Sequence, residues 1–166
     1  ALARAAGEML GTWTHDGKPE ETVTLLEGIN NSGVEVKYAE CCGPEKDFKP
    51  NELLSVIKDA DVVVACVGET VDMSGEASSK CKIDLPGSQM EMLSALKESG
   101  KPFVTLLFNG RPLAVKEAVE ISGAVLECWH LGSEAGNAIA DVLFGCYNPS
   151  GRLTATFPNY SGEAPI

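Results

Sequence analysis

No apolar run in this sequence reaches the roughly 18 residues that a membrane-spanning helix requires, so no span is expected. Positive charge is scarce: 13 Lys and Arg stand against 24 Asp and Glu, a net charge of −11. That balance argues against nucleic-acid or anionic-membrane partners and for a neutral or soluble one. Neither GxGxxG nor GxxxxGK followed by Ser or Thr occurs, so a phosphate cradle has no support. The six cysteines (Cys41, Cys42, Cys66, Cys81, Cys128, Cys146) form no CxxC pair and have no histidine at metal spacing. Neither a metal nor a cofactor is expected. No signal peptide is recognisable, and ALARAAGEML reads as mid-protein sequence, so any targeting segment is expected upstream. Asn-x-Ser triplets at Asn30 and Asn159 permit glycosylation but arise often by chance.

What is present is an alternation. The 166 residues suffice for one domain with a real core. Asp61–Val67 (DVVVACV) is nearly continuously apolar and β-branched, the pattern of a strand buried on both faces of a parallel sheet. The pattern recurs at Pro102–Phe108 and Gly123–Cys128. Helices are expected at 20–31, 51–59, about 87–99, about 112–120 and about 134–144, with further strands at Val34–Ala39 and Leu153–Phe157. Residues 1–19, rich in glycine, read as an irregular connection. Strand alternating with helix predicts an α/β fold, a three-layer α/β/α sandwich with a mostly parallel sheet.

In such sheets ligands bind beyond the carboxyl ends of the strands. After Val67 come Glu69, Asp72 and Glu76; after Phe108 come Asn109, Gly110 and Arg111; after Cys128 come Trp129, His130 and Glu134. Carboxylates, an amide, an arginine and an indole on one edge suit a polyhydroxylated ligand. Each also has a plainer reading. Glu69 could bond backbone at a strand end, Glu134 could complement a helix dipole, Arg111 could be an ion-pair partner and Trp129 a partly buried wall. His130 has no nucleophile motif beside it.

The runs VGETVDMSGEASSKCKIDLPGSQ, GKPFVTLLFNGRPL and LGSEAGNAIADVLFGCYNPSGRLTATFP, in that order, resemble the second, (α/β)6-sandwich domain of glycoside hydrolase family 3. That family holds many β-glucosidases and β-xylosidases. The resemblance is dense from about residue 60 to 166, with MLGTW and ETVTLLEGI matching upstream. It implies a retaining mechanism, in which an aspartate of a preceding TIM-barrel domain attacks the anomeric carbon and a glutamate acts as acid and then base. The family's glutamate segment corresponds to Gly75-Glu76-Ala77-Ser78-Ser79-Lys80, so Glu76 is the acid/base candidate and Glu69 the fallback. Asp72, Lys80, Asn109, Arg111, Trp129 and Glu134 are the expected substrate-binding or loop-shaping residues. A flexible Ser/Gly-rich loop gives a general acid little desolvation, so the loop must close against the barrel and the sugar.

Three positions depart from the family pattern: Lys80 stands where arginine is common, Ala135 replaces a glycine of EGG, and Cys146 replaces the aspartate of FGDYNPSG. The family's leading strand is expected before Ala1, and no segment resembles the barrel. The resemblance therefore implies that residues 1–166 are the sandwich domain of a larger secreted or periplasmic β-glucosidase, lacking the sheet's first strand and inactive alone. Its partners would be a β-glucoside or oligosaccharide and the TIM barrel of the same protein. Two other classes remain: a non-catalytic carbohydrate-binding or packing module, and a flavodoxin-like nucleotide-binding domain, against which the charge and the missing phosphate loops speak.

Overall fold

The computed structural model describes residues 2–163. Three strands, β1 (Val63–Gly68), β2 (Phe103–Phe108) and β3 (Ala124–Glu127), pair in parallel in the order β1-β2-β3. Six α-helices lie around them: α1 (Ala6–Leu10), α2 (Leu25–Asn31), α3 (Pro50–Ile57), α4 (Gln89–Ser99), α5 (Lys116–Ile121) and α6 (Ala135–Leu143).

Side-chain alternation along the strands creates two separate cores. Ala65, Val67, Phe103 and Leu107 point to one face, where Leu53 and Ile57 of α3, Leu93 and Leu96 of α4 and Ala118 of α5 cover them. Leu106 and Phe108 point to the other, against Met9 of α1, Leu25 and Ile29 of α2 and Ile139 of α6. The result is the α/β/α sandwich expected from the sequence.

Local chemistry sets several boundaries away from those expected. The stretch 20–31 does not form one helix: Pro19–Glu21 is a 3₁₀ turn and α2 starts only after Thr24. There the Thr24 hydroxyl accepts from Glu27 N–H at 3.3 Å while the Glu27 carboxylate accepts from Thr24 N–H at 2.8 Å, a reciprocal cap that fixes the first turn. Helix α3 begins with Pro50 at its first turn and Lys49 as cap, so Asn51 lies inside it. Helix α5 begins at Lys116, after the chain has run past Asp84 in a parallel bridge at Ala114. In the N-terminal stretch expected to be irregular, α1 forms.

Neither Val34–Ala39 nor Leu153–Phe157 is a strand. A strand exists only by pairing, and the outer edge of β1 pairs with no strand among the described residues. Instead a cavity of about 360 Å³ is lined by Val36 and Tyr38 as well as by Val63 and Ala65 of β1.

Helices α2 and α6 meet at two glycines. A Cβ on Gly28 would lie 2.1 Å from Gly136 O, and one on Gly136 would lie 2.0 Å from Thr24 O. The backbones touch, and Gly136 N–H donates to Val23 O at 2.9 Å. The neighbouring Ala135 is fully buried, so its methyl is accommodated where the family pattern has glycine.

Candidate active site

Parallel register aligns Gly68 with Phe108 and Leu107 with Glu127, which brings the loops after all three strands to one edge of the sheet. The end of β1 is fixed first. Gln89, the last residue of LPGSQ, accepts from Gly68 N–H at 2.7 Å and donates to Gly68 O at 2.8 Å, so its buried amide acts as a short strand partner.

Glu69 follows directly and is 1% exposed. Lys80 Nζ lies 2.8 Å from Oε1 and Arg111 Nε 3.1 Å from Oε2, so both carboxylate oxygens are engaged by cations. Burial of a carboxylate is tolerable only with such pairing. Lys80, despite replacing the more usual arginine, therefore anchors its end of the loop. Arg111 does more: its Nη2 also donates to the carbonyl oxygens of Met73 and of Ser78, the latter at 2.6 Å. One guanidinium thus grips the loop on both sides of Glu76.

Asn109 is wholly buried and orients this arginine from behind, donating from Nδ2 to Arg111 O at 2.7 Å. The same amide group lies 3.5 Å from Glu127 Oε2. Asp72 sits exposed in the 3₁₀ turn Val71–Met73. Glu76 is exposed at the outer bend of the loop, between Gly75 at φ +120° and Ala77 in the left-handed region at φ +61°. No hydrogen bond or ion pair engages the Glu76 carboxylate among the described residues.

Trp129 is half-buried, its ring 5.6 Å from that of Phe157, and its backbone takes a left-handed φ of 46°. Glu134 is exposed at the start of α6 and accepts from Asn137 at 2.8 Å within that helix, not from the loop. The structure therefore joins Glu69, Lys80, Asn109 and Arg111 into one network around the Glu76 loop and leaves Glu134 outside it.

Two contributions were missed in the sequence. Glu127, at the end of β3, accepts from Trp129 N–H at 2.9 Å and holds that residue's unusual backbone in place. Burial pushes its carboxyl up to about 7, against the lowering effect of the bonds from Trp129 and Asn109. A glutamate inside the apolar run GAVLEC was the available signal. The second is the N-terminal segment: Glu8 accepts from Val71 N–H at 2.6 Å, and Thr12 donates to Val71 O at 2.8 Å. Burial raises the Glu8 carboxyl above its usual value, although the bond from Val71 opposes this. Among the described residues, no group of three or more His, Cys, Asp or Glu side chains is arranged to hold a metal ion. No described helix is long and apolar enough to cross a membrane.

Comparison with known proteins agrees with this geometry. Residues 3–166 match the model of the glycosyl hydrolase family 3 C-terminal domain. The chain is 40% identical to a periplasmic β-glucosidase of Salmonella typhimurium, over 99% of this chain and 25% of that protein. It is 36% identical to a β-xylosidase of Formosa agariphila, over 92% of this chain and 22% of that protein. The crystal structure of a β-glucosidase from Listeria innocua in complex with isofagomine superposes with a TM-score of 0.88 at 37% identity, covering 99% of this chain and 23% of that one. The chain thus spans about a quarter of the length of these two curated relatives. On these matches and this fold, the chain belongs to glycosyl hydrolase family 3, as the C-terminal domain of β-glucosidase- and β-xylosidase-type enzymes.

Proposed function

We propose that this domain supplies the acid/base glutamate, Glu76, to a retaining, exo-acting β-glucosidase whose nucleophilic aspartate lies on a TIM-barrel domain of the same protein. The observation that carries the reading is the contrast between the two candidates. Glu69 is buried with both oxygens paired to cations, which suits an anchor, whereas Glu76 is exposed and unpaired on a loop clamped on either side by Arg111. A group that must give a proton to a leaving oxygen and then take one from water has to be free to meet the substrate.

In this reading the aspartate attacks the anomeric carbon of a terminal β-linked glucose while Glu76 protonates the departing oxygen. The same glutamate then deprotonates the water that releases the sugar from the aspartate. Retention requires the two carboxyl groups about 5 Å apart, so the loop closes over the barrel mouth and the domain alone is inactive. The open edge of β1 and its apolar cavity suit a further strand preceding these residues. The periplasmic relative favours a periplasmic or secreted enzyme, and no cofactor enters the chemistry.

The test is Glu76→Gln in the intact enzyme. The expected loss in kcat/KM is at least about 100-fold on an alkyl glucoside and much smaller on dinitrophenyl glucoside, whose leaving group needs no proton. Equal losses on both overturn the acid role and favour a non-catalytic sugar contact.

A further inference from the structure

We propose that Glu8 and Thr12 are positioning residues for the acid/base step, acting through the backbone of the loop that carries Glu76. The inference rests on the reading of Glu76 given above and adds to it a second restraint, opposite the arginine clamp.

Helix α1 is too short to be stable alone and is held by its ends. Met9 packs fully buried beneath it, Gly132 N–H donates to Met9 O at 2.8 Å, and the Glu8 carbonyl lies 3.2 Å from His130 Nδ1. A Cβ on Gly11 would come within 2.8 Å of the His130 ring, so the segment lies directly on the β3 loop. From that fixed base two side chains reach the catalytic loop. The Glu8 carboxylate accepts a hydrogen bond from Val71 N–H at 2.6 Å, a charge-assisted bond in a half-buried setting. The Thr12 hydroxyl is shared between Val71 O at 2.8 Å and Ser74 O at 3.2 Å.

These contacts and those of Arg111 divide the loop between them. Thr12 takes the carbonyls of residues 71 and 74, and Arg111 those of 73 and 78. The Thr12 methyl also stands 3.2 Å from where a Cβ on Gly75 would be, against the residue immediately before Glu76. Rotation of the 74–75 peptide would swing the Glu76 side chain, and Thr12 is placed to resist it. Proton donation to a leaving oxygen depends steeply on such placement, since a displacement near 1 Å can cost about 100-fold.

The experiment uses the intact enzyme and four variants: Thr12→Val and Glu8→Met, which remove the bonds, and Thr12→Ser and Glu8→Gln, which keep them. Each is assayed by kcat/KM on an alkyl glucoside and on dinitrophenyl glucoside, alongside Glu76→Ala. Thr12→Val and Glu8→Met should lose about tenfold on the alkyl glucoside and less than about twofold on the activated one, while Ser and Gln restore the poor substrate. Amide exchange in residues 70–78 should quicken in Thr12→Val without change elsewhere. Losses equal on the two substrates, or no loss at all, overturn the positioning role. If Glu76→Ala shows the leaving-group dependence and Thr12→Val and Glu8→Met do not, the inference alone fails. If Glu76→Ala also lacks it, the acid/base reading fails with it.

Discussion

Arg111 and Glu69 meet with Nε 3.1 Å from Oε2, across 42 residues of sequence, at the adjoining ends of β2 and β1. Glu69 is buried and Arg111 partly so, and the Nη2 group of the arginine holds the loop at two carbonyl oxygens. The worth of the pair is asymmetric: two charges removed together cost little, but one removed alone leaves the other with fewer partners in a poor dielectric.

A cycle of Arg111→Met, Glu69→Gln and the double variant separates these effects. Arg111→Met should destabilise the domain by about 1–3 kcal/mol, because Glu69 would lose one of its two cations while keeping Lys80. The double variant should be less damaging than the sum of the two, with thermal unfolding of the intact enzyme as the measurement. Strict additivity would mean that the two charges are not coupled. Activity on poor leaving groups should fall in both single variants, since the same guanidinium holds both sides of Glu76.

The contact between α2 and α6 leaves no room for a side chain. Gly136→Ala would place a methyl carbon 2.0 Å from Thr24 O, a backbone atom at the capped start of α2. The helices must separate, and overpacking of this kind costs about 1–3 kcal/mol or more. A clear drop in the unfolding temperature is expected for Gly136→Ala and for Gly28→Ala, whereas Gly7→Ala, where a Cβ meets nothing within 4 Å, should be neutral or slightly stabilising. Equal behaviour of the three would contradict the close approach.

The three strands were legible as nearly unbroken apolar runs, which for β1 and above all β2 reflect burial within the sheet, although β3 is only partly covered. Val34–Ala39 alternates apolar and polar residues instead, yet alternation encodes only a readiness to pair, and among the described residues this segment pairs with no strand. The start of α2 was misplaced because two acids at Glu20 and Glu21 imitate a first turn, while the true cap is the Thr24 and Glu27 exchange. The edge carrying the site followed from parallel topology alone. Which carboxylate lies inside did not: Glu69 and Glu76 differ only through Lys80 and Arg111, and a contact spanning 42 residues leaves no local trace. The same reason hid Glu8 and Thr12, whose targets are about 60 positions away.

Glu127 makes the domain's stability depend on pH in a direction opposite to that of a salt-bridged carboxylate. Its folded value of about 7 exceeds the ordinary 4.5, so between those limits the folded domain keeps a proton that the unfolded chain has released. Stability from this group is therefore fully present below about 4.5, falls as pH rises towards 7, and is level above it. Glu127→Gln carries no titrating group and keeps an acceptor for Trp129 N–H, so it removes the slope. Near pH 5 the variant and the parent should unfold at similar temperatures; near pH 8 the variant should be the more stable, because the parent then holds a buried charge with no cation beside it. A difference between the two that stays constant from pH 5 to pH 8 would locate the proton elsewhere.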